Sequence, residues 1–258
     1  MKKIEYSKLL KSAFSGPSKI AEYYSYFYNY SFGNQVLLVL QGVTSPVATF
    51  KKWCELGRSV KKGAKAKEIF IPTSWTKKVE DQATGEEKEI PMKGFILKSC
   101  LFQATDTDGK EFYSETRELP QLDKNKIYSA LGITEITWNK PNGNLQGYSY
   151  PTKKAIAINP LAVYPEKTLL HEVAHCILHS QDSSSVHQHD AAIPQSLMEV
   201  EAEVVAYITG SYLGILSEDA KQSSRGYTQH WINGNNVPEK NAKRIFGAVD
   251  KILKALGA

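Results

Sequence analysis

The sequence predicts an α+β fold in two domains, residues 1–120 and residues 121–258. Helical patterning dominates roughly the first fifty residues and then gives way to β-prone segments, which indicates helices followed by sheet. Charge is divided unevenly along the chain: residues 1–120 hold 19 Lys and Arg against 14 Asp and Glu, whereas residues 121–258 hold 13 of each. All six histidines lie in the second part. A basic unit is therefore expected to precede a neutral unit that is rich in histidine.

Helices are expected at the start of the first domain, and a hairpin is expected after them. Apolar and aromatic side chains recur at helical spacing, and Ser31 can cap the second helix. The predicted helices cover residues 20–30, 31–42 and 45–56, and the predicted strands cover residues 67–72 and 94–102. The turn-forming residues 81–87 would join these strands into a long antiparallel hairpin.

The second domain, which begins near residues 119–123, is expected to lead through a small sheet into a central helix. A helix is predicted over 124–131, ahead of the sheet. The predicted strands cover residues 133–139, 146–150 and 154–159. Two prolines then precede a helix that carries histidines, and another helix is predicted over 195–210.

The segment His171-Glu172-Val173-Ala174-His175 makes the sharpest chemical prediction in the chain. Residues four apart share one helical face, so His171 and His175 can hold one metal ion between them. Glu172 lies one position round the helix, where a carboxylate can act as a base on water at the metal. Apolar neighbours on both sides indicate a buried helix. A buried helix with two ordinary histidines is the alternative interpretation.

A catalytic zinc site needs a third protein ligand, and residues 195–210 offer three carboxylates. Glu199 and Glu203 are four residues apart and share a face, whereas Glu201 lies about two hundred degrees from Glu199. We expect Glu199 to be the third ligand and Glu203 to hydrogen-bond a ligand histidine, which would fix the orientation of the imidazole. Glu201 is the second choice as ligand, and an acidic helix that is merely solvated is the alternative.

Three other histidines are not expected to bind the metal. His179 lies eight residues beyond His171 with no glycine between them, unlike the third histidine of three-histidine metalloproteases, and is expected at the polar end of the helix. His187 and His189 lie in a polar stretch that is expected to be a solvated loop. No motif identifies a residue that stabilises an oxyanion, although Tyr207 and Tyr227 are candidates.

The HExxH helix, the polar loop and a helix reading Glu-x-Glu-Ala-Glu-x-x-Ala together resemble the ImmA/IrrE-type metallopeptidase domain. This resemblance implies a zincin-like fold with one Zn²⁺ per chain and with Glu172 as the catalytic base. It favours Glu199 over Glu201, because the family's metal-binding glutamate corresponds to the first acid of this run. The family often has asparagine at the position of Glu203, so this chain departs from the family pattern there.

Seven basic residues and a single acid, Glu55, lie between residues 51 and 67. The basic residues are Lys51, Lys52, Arg58, Lys61, Lys62, Lys65 and Lys67. Trp53 lies among them, and cations that follow phosphates together with aromatic rings that stack on bases are typical of single-strand binding. A solvated charged face beside an aromatic core is the alternative interpretation.

Residues 30–38, 50–63 and 100–107 resemble the single-stranded-DNA-binding domain of ArdC-type antirestriction proteins. The matching residues in the first two segments are Asn34, Trp53, Arg58, Lys61 and Lys62. Gln103 stands where the family more often has an acid. The two resemblances cover most of the chain in the order in which this family combines them, which implies a DNA-binding domain followed by a metallopeptidase domain.

This resemblance implies a protein of a mobile element that binds incoming single-stranded DNA and shields it from restriction nucleases. Two alternatives stay open. The metal site could be structural or vestigial beside a pure DNA binder, or the peptidase could cleave a repressor or another DNA-bound protein. A protein substrate is therefore expected only if the site is active.

Composition argues against several other classes of protein. Cys54, Cys100 and Cys176 are widely spaced and form neither a disulfide framework nor a CxxC site. No apolar run is long enough to span a membrane, and the first residues lack the apolar core of a signal peptide. A cytoplasmic protein without a membrane partner is expected.

Overall fold

The structure is a computed structural model, and it describes residues 5–80, 87–115, 117–140, 144–180, 195–234 and 237–257. The helices found in these residues are α1 (Tyr6–Ser15), α2 (Pro17–Ala21), α3 (Tyr24–Phe27), α4 (Phe32–Leu40), α5 (Phe50–Glu55), α6 (Lys124–Leu131), α7 (Pro165–Leu178), α8 (Gln195–Tyr212), α9 (Glu218–Gly234) and α10 (Glu239–Leu256). The strands are β1 (Val47–Thr49), β2 (Arg58–Val60), β3 (Lys67–Glu80), β4 (Glu87–Gln103), β5 (Thr107–Gly109), β6 (Thr134–Glu135), β7 (Gly147–Tyr150) and β8 (Ala155–Ile158). The predicted mixture of helix and sheet is confirmed.

The chain divides into two compact units, and their bounds differ from the predicted ones. Leu37–Ser114 form a first unit, and Glu5–Val36 join Glu115–Ala258 in a second unit. The second division lies a few residues from the predicted boundary at 120, but residues 5–36 do not belong to the first unit. Apolar packing is the reason for this difference.

Aromatic residues near the start of the chain complete the core of the second unit. The rings of Phe14 and Tyr207 lie 4.6 Å apart, and the rings of Phe32 and Phe246 lie 5.8 Å apart. The buried hydroxyl of Tyr212 also donates a hydrogen bond of 2.5 Å to Oε1 of Gln35. Burial of large aromatic surfaces outweighs sequence proximity here, so α1, α2 and α3 fold with α7, α8 and α10.

A small sheet in the second unit positions α7. Its strand order is β6-β8-β7, with β6 parallel and β7 antiparallel to β8. The strand predicted over 133–139 shrinks to Thr134–Glu135, which pair with Ala155 and Ile156 of β8. The other two strands match their predicted positions within one residue at each end.

The first unit is built on a long antiparallel hairpin. β3 and β4 pair from Lys67 and Leu101 to Glu80 and Glu87, so the predicted hairpin is present and longer than expected. The predicted helix over 45–56 begins only at Phe50, because Val47–Thr49 pair with residues 101–103 of β4. The side chain of Thr49 then caps α5 by accepting a hydrogen bond from the backbone N–H of Lys52.

The predicted helix over 20–30 is also interrupted. It forms as the short helices α2 and α3, since the backbone leaves helical geometry at Tyr23, where φ is −101° and ψ is 12°. Within the described part of the chain, no helix combines the length and the apolar character that crossing a membrane requires.

Candidate metal centre

Helices α7 and α8 bring two histidines and one carboxylate together. His171 and His175 lie one turn apart on α7, and Glu199 lies in the first turns of α8. One ligand atom from each of these residues lies within 4.8 Å of the others. The structure therefore groups the three residues that the sequence nominates as ligands.

The separations within this cluster fit a metal ion of the size of Zn²⁺. Nε2 of His171 lies 3.1 Å from Nε2 of His175 and 3.3 Å from Oε2 of Glu199. Oε2 of Glu199 lies 3.5 Å from Nε2 of His175. Tetrahedral bonds of about 2.0–2.2 Å place ligand atoms about 3.3–3.6 Å apart, close to these distances. Two imidazoles and one carboxylate form a known donor set for catalytic zinc, and the fourth direction stays available for water.

Glu203 orients one of the histidines. Its Oε2 lies 3.0 Å from Nδ1 of His171, and its Oε1 lies 2.7 Å from Nζ of Lys167. The carboxylate accepts a hydrogen bond from Nδ1–H of His171, which leaves Nε2 facing the other two ligands. Burial would raise the pKa of Glu203, but hydrogen bonds from His171, Lys167 and Ser224 together with the charge of Lys167 hold it well below its usual range.

His171 and Glu199 carry opposite charges. Burial disfavours charged His171, but hydrogen bonds to Glu199 and Glu203 and the nearby charge of Glu172 raise its pKa to about 9. The hydrogen bonds to His171 and His175 hold the pKa of Glu199 far below its usual range. The carboxylate that would bind a cation is thus ionised at neutral pH.

Glu172 is buried beside the cluster, and Ser149 of β7 forms a hydrogen bond with its carboxylate. Burial raises the pKa of its carboxyl, and this rise is opposed by His171, by a hydrogen bond to Ser149 and by His175. A raised pKa suits a carboxylate that must accept and later return a proton near neutral pH. A Cβ at Gly147 would lie 3.0 Å from Oε1 of Glu172 and 2.7 Å from Cγ2 of Thr168. Glycine at this position therefore allows β7 to approach α7 closely.

A cavity of about 890 Å³ opens over the cluster. Its lining includes all of the residues that approach the candidate metal position and three residues of β7, Gly147, Tyr148 and Ser149. β7 is an edge strand in the described sheet, since β8 is its single partner there. An unpaired strand edge beside a hydrolytic site can hold an extended peptide by β-augmentation.

Glu201 and His179 lie outside the cluster. Glu201 is 0% exposed, and Nδ2 of Asn241 donates a hydrogen bond of 2.8 Å to its Oε1. Arg244 approaches its other oxygen at 3.8 Å, so this carboxylate takes part in packing of α8 against α10. His179 follows α7 as its C-cap residue, and its Nε2 lies 3.3 Å from the backbone oxygen of Met198. His187 and His189 lie outside the described residues.

The two candidate tyrosines have different surroundings. Tyr207 is fully buried, and its hydroxyl accepts a hydrogen bond of 2.9 Å from Nε of Arg225. Tyr227 is more than half exposed, and burial together with the charges of Glu199 and Glu203 raises the pKa of its hydroxyl. Of the two, Tyr227 is the one whose hydroxyl is within electrostatic reach of the cluster.

The basic segment contains both structural and exposed side chains. Trp53 is 0% exposed, and its Nε1 donates a hydrogen bond of 2.8 Å to the backbone oxygen of Phe102. Nε of Arg58 donates to Oγ1 of Thr107 at 2.8 Å, and Asn34 is buried in α4. Burial indicates a packing role for Trp53 and Asn34, and Arg58 is half-buried beside Thr107. Contact of these three residues with DNA stays a prediction.

The lysines of the segment remain at the surface. Nζ of Lys61 donates to the backbone oxygen of Thr105 at 3.0 Å and lies 3.4 Å from Asp108, and Lys52 lies 3.4 Å from Glu55. Lys51, Lys62 and Lys65 are exposed, and no ion pair joins them to an acid of the described residues. These three cations are the ones that are free to meet phosphates.

Three residues of the candidate metal centre were missed from the sequence. Lys167 lies four residues before His171, and this helical spacing could have placed its ammonium group on the same face. Ser149 and Gly147 act from a neighbouring strand, and no local signal connects them with α7. Their part in the site depends on the packing of the sheet against the helix.

Comparison with known proteins gives a family match for the first part of the chain. Residues 8–100 match a family model described as the N-terminal domain of anti-restriction factor ArdC. An uncharacterized protein of Bacillus anthracis is 24% identical over 294 residues, which cover 92% of this chain and 48% of that protein. The chain thus spans about half the length of this curated relative.

Two crystal structures of the antirestriction protein ArdC from plasmid R388 are similar to this chain. The metal-free structure has a TM-score of 0.48 at 24% identity and covers 94% of this chain and 95% of that one. The Mn(II)-bound structure has a TM-score of 0.51 at 21% identity and covers 99% of this chain and 96% of that one. The second comparison shows a shared fold. Residues 8–100 thus match the N-terminal domain of the ArdC family, and the chain shares the fold of the Mn(II)-bound ArdC structure.

Proposed function

We propose that the second unit is a zincin-like metallopeptidase and that the first domain binds single-stranded DNA, as expected of an antirestriction protein. The observation that carries the peptidase proposal is the meeting of His171, His175 and Glu199 beside buried Glu172, in a cavity bordered by an edge strand. The three candidate ligands, the candidate base and a strand edge that can hold a peptide thus border one cavity.

His171, His175 and Glu199 would hold Zn²⁺, and His171 would be oriented by Glu203. When bound, Zn²⁺ lowers the pKa of water and polarises a carbonyl group. Glu172 accepts the proton of the attacking water and returns it to the leaving amine, with Ser149 holding its carboxylate. The backbone of β7 binds the peptide in an extended conformation. Tyr227, whose pKa the charges of Glu199 and Glu203 raise, is the candidate donor to the developing oxyanion.

The peptidase proposal is tested with Glu172→Gln beside Glu199→Ala. Glu172→Gln removes the base but none of the metal ligands, so metal content should match that of the unaltered protein while cleavage of an unfolded protein substrate falls by at least about a hundredfold. Glu199→Ala should lose both metal and cleavage. Unaltered protein that retains bound zinc and cleaves no peptide, with or without single-stranded DNA, would assign the cluster a structural role.

The DNA proposal rests on the match of residues 8–100 and on the exposed lysines of the basic segment. The outcome to measure is protection of single-stranded DNA from nuclease digestion. Lys62→Glu and Lys65→Glu together should reduce protection, because both side chains are exposed cations. Lys240→Glu in the second unit provides a control with the same change of charge per residue.

The same variants separate a DNA binder from a DNA-targeted peptidase. Protection that is unchanged in Glu172→Gln indicates that DNA binding does not need hydrolysis. Cleavage that is stimulated by single-stranded DNA, and loses that stimulation in the Lys62 and Lys65 variants, indicates that the first domain delivers the peptidase to its target.

A further inference from the structure

The β3–β4 hairpin carries a partly apolar surface that the basic segment does not include. Directly paired residues of antiparallel strands point to the same face, so the register of this hairpin defines its two faces. Trp75 pairs with Met92, and Lys77 pairs with Ile90. We call this side the Trp75 face; it includes Ile69, Trp75 and Lys77 of β3 and Ile90, Met92, Gly94 and Lys98 of β4.

The Trp75 face is open in the structure. Trp75 is 49% exposed, Ile90 is 44% exposed and Met92 is 36% exposed. Large apolar side chains that lie together and exposed on one face mark an interaction surface. A two-stranded ribbon also has no second layer of its own to cover such a face.

Gly94 shapes the presentation of the indole. A Cβ at this position would lie 2.8 Å from both Cη2 and Cζ3 of Trp75, so the ring lies against the bare backbone of the neighbouring strand. The absence of a side chain at Gly94 therefore lets the indole ring of Trp75 pack directly against β4. One side of the indole rests on β4, and the exposed remainder is available to a planar partner.

Charge differs between the two faces of the ribbon. Lys77 and Lys98 lie on the Trp75 face, and no acid occupies a position of that face in the paired segments. Glu87 and Glu89 lie on the opposite face, where Nζ of Lys78 pairs with Glu87 at 3.0 Å. In the described part of the chain, neither Lys77 nor Lys98 is ion-paired with an acid. The Trp75 face is thus cationic as well as apolar.

We infer that the Trp75 face binds single-stranded DNA, with a base stacked on Trp75 and phosphates at Lys77 and Lys98. This inference rests on the proposed DNA-binding function and names its contact surface. Trp53, the aromatic residue within the basic segment, is buried and cannot stack, whereas Trp75 is exposed beside unpaired cations. Cations with an accessible indole and without nearby acids are the composition that single-strand binding requires.

The alternative occupant, a second copy of the same face, is disfavoured by charge. Two such faces would bring like-charged lysines together without any acid to pair with them. The extent of the surface also suits a strand of several nucleotides. Trp75 and the pair formed by Ile69 and Lys98 are six residues apart along β3, which corresponds to about 20 Å.

The test measures binding of a fluorescently labelled oligothymidylate to the full chain by anisotropy. Trp75→Ala should weaken binding about tenfold, as expected for the loss of one stacked base. Trp75→Tyr retains a ring and should stay within about threefold of the unaltered protein, yet it should lose the quenching of tryptophan fluorescence that DNA causes. The chain has four tryptophans, and quenching that disappears when Trp75 alone is replaced is assigned to Trp75.

Charge is tested with a matched pair of variants on opposite faces. Lys77→Glu on the Trp75 face should weaken binding more than Lys93→Glu, since Lys93 pairs with Ser74 on the other face and is equally a surface lysine. Equal losses in the two variants would mean that net charge alone matters and would overturn the inference. Circular dichroism and the melting temperature of each variant establish that the hairpin still folds.

The outcomes distinguish this inference from the broader proposal. If the unaltered protein binds no single-stranded DNA, the proposed function itself fails. If the unaltered protein binds, but Trp75→Ala and Lys77→Glu do not weaken binding and Trp75→Tyr keeps the quenching of tryptophan fluorescence, the Trp75 face is excluded while DNA binding stands. A Trp75→Ala variant that changes from dimer to monomer in sedimentation, with DNA binding unchanged, would instead assign the face to self-association.

Discussion

Glu199 and Glu201 lie two residues apart on α8 and have opposite surroundings. Glu199 is part of the cavity and interacts with both imidazoles, whereas Glu201 is sealed between α8 and α10 beside Asn241 and Arg244. Burial raises the pKa of Glu201, and Arg244 and Asn241 oppose that rise. Two acids of the same type therefore lie in different surroundings, one in the wall of the cavity and the other in the packing between helices.

This difference predicts two separable phenotypes. Glu199→Ala should abolish stoichiometric metal binding with little change in the melting temperature of the metal-free protein, because its carboxylate is at the wall of an open cavity. Glu201→Ala should keep the metal ligands but lower the free energy of unfolding by about 2–4 kcal/mol, since it leaves Asn241 and Arg244 without their buried partner. Metal analysis and chemical denaturation of the two metal-free variants check this directly. If Glu201→Ala loses metal and Glu199→Ala keeps it, Glu201 and not Glu199 is the metal ligand.

His179 introduces a pH dependence of stability. Its side chain is 1% exposed, and burial, with the charges of His175 and Arg244, lowers its pKa to about 4. An unfolded histidine has a pKa of about 6.5, so between about pH 6.5 and about pH 4 the unfolded chain binds a proton that the folded chain does not. Stability due to this group is complete above about pH 6.5 and is lost as the pH falls towards 4.

We therefore expect His179→Gln to unfold with a weaker pH dependence than the unaltered protein. The difference in unfolding free energy between pH 7 and pH 4.5 should shrink by up to about 3 kcal/mol. Urea denaturation at both pH values, with chelator present to remove metal effects, measures it. An unchanged pH dependence would show that His179 has the same pKa in the folded protein as in the unfolded chain.

At the scale of elements, the approach of β7 to α7 makes the site. Gly147 has no room for a Cβ, and Ser149 on the same strand contacts the base Glu172. The strand thus holds the Glu172 carboxylate with Ser149 and leaves space for it at Gly147. Its free edge lies along the same cavity.

Gly147→Ala should impair hydrolysis without removing a ligand. The new methyl group would push Glu172 or β7 by a few tenths of an ångström or more, and displacement of a catalytic group commonly costs about 10–100-fold in rate. The comparison variant is Gly247→Ala on α10, where a Cβ meets no atom within 4 Å. That control should preserve kcat/KM and raise helix stability slightly. Equal activity in both variants would show that the close approach is unimportant.

At the scale of the whole molecule, charge separates the two functions that we propose. The net charge of +5 resides in residues 1–120, whereas the metal centre lies in a part of the chain with balanced charge. Long-range attraction of a polyanion therefore acts on the first part. The metal site is left with the local charges that surround its ligands.

Salt should weaken binding of single-stranded DNA steeply. If Lys51, Lys62 and Lys65 each meet one phosphate, the logarithm of the association constant should fall against the logarithm of the salt concentration with a slope of about −2. Contacts at Lys77 and Lys98 would steepen the slope to about −3.5. Titrations at several salt concentrations give this value. A flat response would exclude phosphate contacts, and tighter binding to duplex DNA would argue against stacking.

The local order of the chain was predictable because its signals are local. Helix α6 has its predicted bounds, and the position of the hairpin follows from two β-prone runs around a turn. The ligand spacing of His171 and His175 also depends on one helix alone. Strand β1 was missed, since three residues next to a helix become a strand only through pairing with β4.

The sequence by itself determined the chemistry: which histidines share a face, which helix can supply a carboxylate, and where the cations are concentrated. Tertiary structure alone decided which residues are available. It buried Trp53 and exposed Trp75, buried Glu201 between α8 and α10, and placed residues 5–36 in the second unit. The physical reason is that helical periodicity and charge are properties of neighbours in sequence. Burial and convergence depend on segments that meet only after apolar surfaces far apart in the chain have packed together.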